Sequence, residues 1–171
     1  PARTLLTLHS LRFGYDDGKP LFDNLNFALQ QGERVAVTGA NGTGKSTLLK
    51  LLLGQLVPAS GSITGPRDLV VSTLPQALEH VAGTPWEVAA REGLETDFFF
   101  MLLRKFDFPR EAFDRDASGF SMGQRKKMLL AASMARPAHL YLWDEPLNYI
   151  DLESREQIED MLAQTNATLV F

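Results

Sequence analysis

The chain has 171 residues, a formal net charge of −4 and no cysteine. The length suits one domain, at most one with a small subdomain. The mild acidity gives no global field for nucleic acid, so any RNA contact must come from a local basic patch, and the lack of thiols excludes a disulfide framework and a thiolate metal site. No apolar run approaches the length that spans a bilayer, no signal peptide opens the chain, and a start at Pro1 suggests that the natural N-terminus lies further upstream. The expectation is a cytoplasmic domain, with no membrane insertion, cut from a longer protein.

Residues 5–15 alternate loosely, with Leu6, Leu8, Leu11 and Phe13 apolar, and suit an edge strand of an antiparallel unit. Asp16-Asp17-Gly18-Lys19-Pro20 is a turn cluster, and residues 21–29, with Phe22, Leu25, Phe27 and Leu29, read as the return strand. Tyr15 stands at the start of that turn. Its ring is placed either to stack on an adenine or to pack on its own hairpin.

Residues 34–38 read as a buried strand, and residues 46–53 as a helix with Leu48, Leu49, Leu51, Leu52 and Leu53 as its apolar stripe. Between them Gly39-Ala40-Asn41-Gly42-Thr43-Gly44-Lys45-Ser46-Thr47 fits the phosphate-binding pattern G-x-x-x-x-G-K-[ST], in the strand–loop–helix setting it requires. Glycines let the backbone curl and approach a ligand. The curled N–H groups and the helix N-terminus face an anion; Lys45 can reach terminal phosphates, and the Ser46 hydroxyl can ligate Mg²⁺. A nucleoside triphosphate with Mg²⁺ is the ligand this loop predicts.

A turn at residues 58–62 leads to a short strand at 62–64 and another at 68–74, ending in Leu74-Pro75-Gln76. Thr84-Pro85-Trp86-Glu87 has the form of a capping box with proline at the first helical position, predicting a helix over 85–92. Residues 96–106, rich in phenylalanine, read as a second helix of a small helical subdomain, and an exposed part of that face would be a docking surface. After a polar linker at 113–119, Ser121 caps a helix over 122–135 with Met128, Leu129, Ala132 and Ala135 on one face. A buried strand at 139–143 follows Pro137, then a helix over 153–163 and a strand over 168–171. Strands alternating with helices after residue 33 predict a mainly parallel sheet with helices on both faces.

The strand at 139–143 delivers Asp144 and Glu145 to its C-terminal end, where the crevice of an α/β sheet lies. Asp144 is placed to bind Mg²⁺, and Glu145 to orient or deprotonate an attacking water. His139 is at the other end of the strand and reads as structural. Ser121-Met122-Gly123-Gln124 opens a helix whose N-terminus is an anion site. Arg125, Lys126 and Lys127 follow in the first turns, where cations oppose the helix dipole; they are either a solvated basic turn or a sign of a nearby anion.

In this order, Tyr15, the loop from Gly39 to Thr47, Gln76 after a strand, Phe120-Ser121-Met122-Gly123-Gln124, Asp144-Glu145-Pro146 and Asn148-Tyr149-Ile150-Asp151 resemble the nucleotide-binding domain of an ABC-type ATPase. The resemblance implies an α/β fold: a phosphate-loop NTPase core with a mainly parallel sheet, an N-terminal antiparallel β unit and a small α-helical subdomain. Residues 1–76 and 137–171 would form the ATP-binding core, and 77–136 the helical subdomain. It implies a head-to-tail pair with a second ABC ATPase domain, of the same chain or a dimer, with two ATP molecules between them. Tyr15 would stack on adenine, Gly39 to Thr47 would hold the phosphates, and Ser46, Asp144 and Gln76 would serve the Mg²⁺ ion. Glu145 would be the catalytic carboxylate with Gln76 sensing metal and water. Ser121, Gly123 and Gln124 would meet the nucleotide of the partner domain, and Asp151 would cross the interface near it.

Two departures stand out. Phe120 and Met122 replace the usual Leu and Gly of the signature, and the family's switch histidine normally follows a strand like 168–171, where this sequence stops. The expectation is a chain that binds nucleotide better than it hydrolyses it. Trp143 before Asp144-Glu145-Pro146-Leu147-Asn148-Tyr149-Ile150-Asp151, and Gln124-Arg125-Lys126-Lys127, look most like the second ATPase domain of the ABC-F antibiotic-resistance, ribosome-protection proteins; the short stretch between Gln76 and Phe120 suits a second domain. That implies a ribosomal (rRNA and tRNA) partner for the parent protein. The alternative is the energy-coupling ATPase of a membrane transporter; a regulatory domain without turnover is disfavoured by Glu145.

Overall fold

The computed structural model describes residues 3–16, 18–75 and 77–171. The chain runs β1 (Thr4–Phe13), β2 (Phe22–Gln30), β3 (Arg34–Val35), α1 (Lys45–Leu52), β4 (Ser60–Thr64), β5 (Val71–Thr73), α2 (Pro85–Glu92), α3 (Thr96–Lys105), α4 (Met122–Ala135), β6 (Leu140–Leu142), α5 (Leu152–Gln164) and β7 (Thr168–Val170). An antiparallel sheet has the order β2-β1-β4, and a second sheet, β3-β7-β6-β5, is parallel throughout.

β1 is the central strand of its sheet, not the expected edge, because β4 pairs along its second side, with Leu8 opposite Ile63. The loose alternation also has a cause. The register shifts between Leu8 and Leu11, where Ser10 takes a left-handed φ of 46° and its N–H donates to Asn26 Oδ1 at 2.9 Å. This bulge resets the two-residue period, so Leu8 and Leu11 both face the core.

The expected buried strand at 34–38 is half-buried and regular only over β3, which takes the edge of the parallel sheet among the described residues. The pairing continues through Val37 N–H, which donates to the Phe171 carbonyl at 2.6 Å. The strand expected at 68–74 shortens to β5, since a turn closes first, with Leu69 N–H on the Pro66 carbonyl. In β6 and β7 the alternation separates two layers. Leu140, Leu142 and Val170 meet Leu49 of α1 and the antiparallel sheet; Tyr141, Trp143 and Leu169 meet the helical layer of α3, α4 and α5.

The expected capping box of α2 forms, and the expected cap Ser121 makes a second box with Gln124. Thr84 and Glu87 cap α2, and Ser121 and Gln124 cap α4. α4 is buried nearly all round rather than on one face, because it lies between α2 and α3 on one side and β5 on the other. The polar stretch 113–119 ends in a 3-10 turn, Ala117–Gly119, whose cap Asp116 accepts N–H bonds from Ser118 and Gly83 and is thereby held below the usual carboxylate range. Phe99 and Phe100 are core, whereas Phe98 is partly exposed beside Met134, Tyr141 and Leu162.

Candidate nucleotide-binding site

Gly44 caps α1 in a left-handed conformation, φ 102°, with no side chain on the helix's free N–H groups. A Cβ there would stand 2.7 Å from Leu21 Cδ2, so glycine is required both by φ and by space. The loop is held by Thr43, whose hydroxyl donates to the Ala40 carbonyl at 2.7 Å, and the Lys45 ammonium folds back onto the Gly39 carbonyl at 2.6 Å. That bond keeps the ammonium over the loop whose N–H groups would meet an anion.

Tyr15 packs on its own hairpin while leaving much of its ring open. It packs edge-on against Phe13, with centroids 5.1 Å apart, yet is 64% exposed. Its hydroxyl shares a 2.8 Å hydrogen bond with Thr47 Oγ1, which ties the hairpin to α1. Beside it opens a groove of about 1010 Å³ lined by Arg12, Asp16, Pro20 and Ser60.

A second cleft, of about 270 Å³, brings together Ser46, Lys50, Gln55, Thr73, Leu74 and Asp144. A hydroxyl and a carboxylate from two elements thus face one space, with room for phosphate oxygens and water. Hard oxygen donors few in number are the set Mg²⁺ takes. Glu145 follows in a left-handed turn, φ 46°, exposed, its Oε2 accepting the Asn148 side-chain N–H at 2.6 Å. Gln76 lies outside the described residues.

Ser121, Gly123 and Gln124 line neither of these two spaces. Ser121 Oγ accepts the Gln124 N–H at 3.2 Å, and Gln124 Oε1 accepts the Ser121 N–H at 3.0 Å. Gly123 is where α4 meets the loop after β6; a Cβ there would lie 2.8 Å from the Tyr149 carbonyl oxygen.

The basic turn is not solvated. The Arg125 guanidinium donates to the carbonyls of Ala117, Ser118 and Leu78. Lys127 is buried and pairs with Asp151 at 2.8 Å. Burial pushes the Lys126 ammonium below the usual lysine range, and the facing carboxylates of Asp144 and Glu145 pull it partly back. The anions inferred from the sequence are therefore the protein's own. Asp151 also caps α5 through the Ser154 N–H at 2.8 Å, and with Lys127 this holds its carboxyl far below the usual range. His139 is structural: its Nδ1 accepts the Val70 N–H at 2.9 Å.

The sequence reading missed a buried polar knot. Trp143 Nε1 donates to Ser133 Oγ at 2.9 Å, and Ser72 Oγ lies 2.8 Å from Ser133 Oγ and 3.0 Å from the Ser133 carbonyl. The only sequence signal was a lone serine in the alanine-rich end of α4.

Residues 22–148 match the family model described as ABC transporter. ABC transporter F family member 2 of Arabidopsis thaliana is 32% identical over 174 residues, 98% of this chain and 26% of that protein. The ribosome protection protein VmlR of Bacillus subtilis is 36% identical over 158 residues, 89% of this chain and 28% of that protein. The chain thus spans between a quarter and a third of these relatives, 26% and 28% of their lengths. A metal-chelate type ABC transporter in an inward-facing conformation superposes with a TM-score of 0.77 at 28% identity, over 99% of this chain and 72% of that one. An Atm1-family exporter with ATP bound, 20% identical, shares the fold with a TM-score of 0.81 over 98% of this chain and 34% of that one. Among the described residues no helix is long and apolar enough to cross a membrane. ABC domains bind ATP with Mg²⁺ and work as pairs, and this chain belongs to the ABC transporter family as an ATPase domain.

Proposed function

We propose that the domain binds Mg²⁺·ATP between its loop and the end of β6, and that it drives an ABC-F type factor acting on the ribosome. The observation that carries the site is the shared cleft of Ser46 and Asp144. In this reading the residues 1–76 and 137–171 form the ATP-binding core and 77–136 a helical subdomain. Gly39 to Thr47 cradle the phosphates, Lys45 leaves the Gly39 carbonyl for them, and Tyr15 carries the base. Ser46 and Asp144 hold the ion, which screens phosphate charge when bound; Gln76 joins them. Glu145, at the exposed turn, takes the proton from the attacking water. Ser121, Gly123 and Gln124 meet the nucleotide of a second ABC domain.

The ribosomal partner is supported by similarity to the ribosome protection protein and to the F family member. The likeness to a metal-chelate transporter supports the second reading, an energy-coupling ATPase of a membrane transporter. Co-sedimentation of the intact Glu145→Gln protein with ribosomes, with and without ATP, separates the two. Binding that requires ATP supports the ribosomal reading. ATP-dependent pairing of the domains without ribosome binding refutes it in favour of the transporter.

A further inference from the structure

Ser133 is fully buried in the last turn of α4. Four residues on, Pro137 offers no N–H, so the Ser133 carbonyl loses the helical bond it would otherwise accept. It accepts instead a 3.3 Å bond from Arg136 N–H and the hydroxyl proton of Ser72. With that proton committed, the short Ser72–Ser133 hydroxyl contact can be made only by the Ser133 proton pointing to Ser72 Oγ. The Ser133 oxygen is then left to accept the indole N–H of Trp143. Every hydroxyl and indole hydrogen in the knot has one acceptor, so β5, α4 and the residue after β6 are joined by a directed, buried network. Buried polar networks of this kind fix geometry because any misalignment leaves a group unpaired.

The knot sits directly behind the cleft. Ser72 is followed by Thr73 and Leu74, and Trp143 by Asp144, and these three line the cleft. The Trp143 backbone N–H also bonds to the neighbouring strand, at the Val170 carbonyl, 2.9 Å away. Beyond it the chain leaves the sheet at Asp144. The indole is therefore the last anchored side chain before the carboxylate.

We infer that Ser133 is a positioning residue for the cation site: its buried hydroxyl, acting through Trp143 and Ser72, sets where Asp144 stands across the cleft from Ser46. This rests on the nucleotide site proposed above. Groups hydrogen-bonded directly to a metal ligand typically contribute tenfold or more to metal affinity, and Ser133 acts one link further back.

The test is calorimetric titration of ATP into the intact protein, with Mg²⁺ and with EDTA, for the wild type, Ser133→Ala and Ser133→Ala/Trp143→Phe. The double variant removes the unpaired indole N–H that the single one leaves but opens a cavity at the fully buried Trp143 ring, so its Tm should stay at or below that of Ser133→Ala. Affinity in EDTA should stay within about twofold in both variants, while affinity with Mg²⁺ falls roughly threefold to tenfold in both. A merely structural serine predicts instead that Tm falls while the Mg²⁺ advantage is kept. That result, or an undiminished Mg²⁺ advantage in either variant, overturns the assignment, as does failure of both variants to fold. A wild type with no Mg²⁺ advantage refutes the nucleotide-site reading itself, and this inference falls with it.

Discussion

Asp151 serves two roles that one pair of substitutions separates. Its Oδ1 accepts the Ser154 N–H and caps α5, and its Oδ2 meets the Lys127 ammonium at 2.8 Å. Asn caps about as well as Asp, so Asp151→Asn removes only the charge pair. The Lys127 side chain is 10% exposed but Asp151 is 55% exposed, so water screens the pair. After that discount the loss is about 0.5–1 kcal/mol. Asp151→Ala also removes the cap, a further ~1 kcal/mol. For a chain of this size each kcal/mol moves Tm by roughly 2–4 °C. Thermal melts should thus place the Asn variant about 1–4 °C and the Ala variant about 3–8 °C below wild type.

The same carboxyl gives a pH signature. Its folded-state pKa lies below the unfolded value of about 3.9. The stability it contributes is therefore present above that value and is lost as pH falls below it. As pH falls below about 4 the wild type should progressively lose its margin over Asp151→Asn. Raised salt should shrink the same margin. Equal Tm for the Asn and Ala variants, or wild-type and Asn curves that fall in parallel with pH, would refute the division between cap and pair.

Gly44→Ala should lower Tm by an amount equivalent to about 1–3 kcal/mol, since the new methyl meets Leu21 at a φ that alanine avoids; Gly119→Ala, with open space around its Cβ, is the control that should stay near wild type. Lys45→Ala should weaken ATP binding tenfold or more by calorimetry, since the point charge on the phosphates is lost, and an unaltered affinity would refute the loop assignment. Tyr15→Ala should cost roughly tenfold in ATP affinity, on the scale of one base stacked on an aromatic ring, whereas Tyr15→Phe, which loses only the bond to Thr47, should cost less.

Local chemistry made much of the molecule legible. α2 and α4 begin and end where their capping boxes, proline and glycine place them, because those signals act within four residues. The glycine loop located α1 and one half of the cleft for the same reason. Asp144 was legible as the residue that ends an apolar strand. The sequence was silent where partners are far apart along the chain. Nothing near residue 10 announces that β4 will cover the second side of β1, and the bulge at Ser10 blurs the alternation that marks a strand. The basic residues 125–127 fit either a solvated turn or a nearby anion, with the partners unnamed, because Leu78, Asp144 and Asp151 are distant in sequence. Nothing in the alanine-rich end of α4 marks Ser133 out, since its partner Ser72 lies 61 positions away.

The cations at the start of α4 oppose the helix dipole, which costs a few tenths of a kcal/mol to about 1 kcal/mol each near a helix end. Their placement makes sense once α4 is followed along its length. At its first turn the bare Gly123 backbone meets the Tyr149 carbonyl. One turn on, Lys126 faces Asp144 and Glu145, and Lys127 grips Asp151. At its end Ser133 holds Trp143. Three kinds of contact (close approach, charge and hydrogen bond) attach the whole helix to residues 143–151, the segment that carries the carboxylates. A shift of Ser121 at the head of α4 relative to residues 143–151 would strain or break at least one of these contacts. The cations set against the helix dipole are thus part of what ties the helix that carries Ser121 to the turn that carries Glu145.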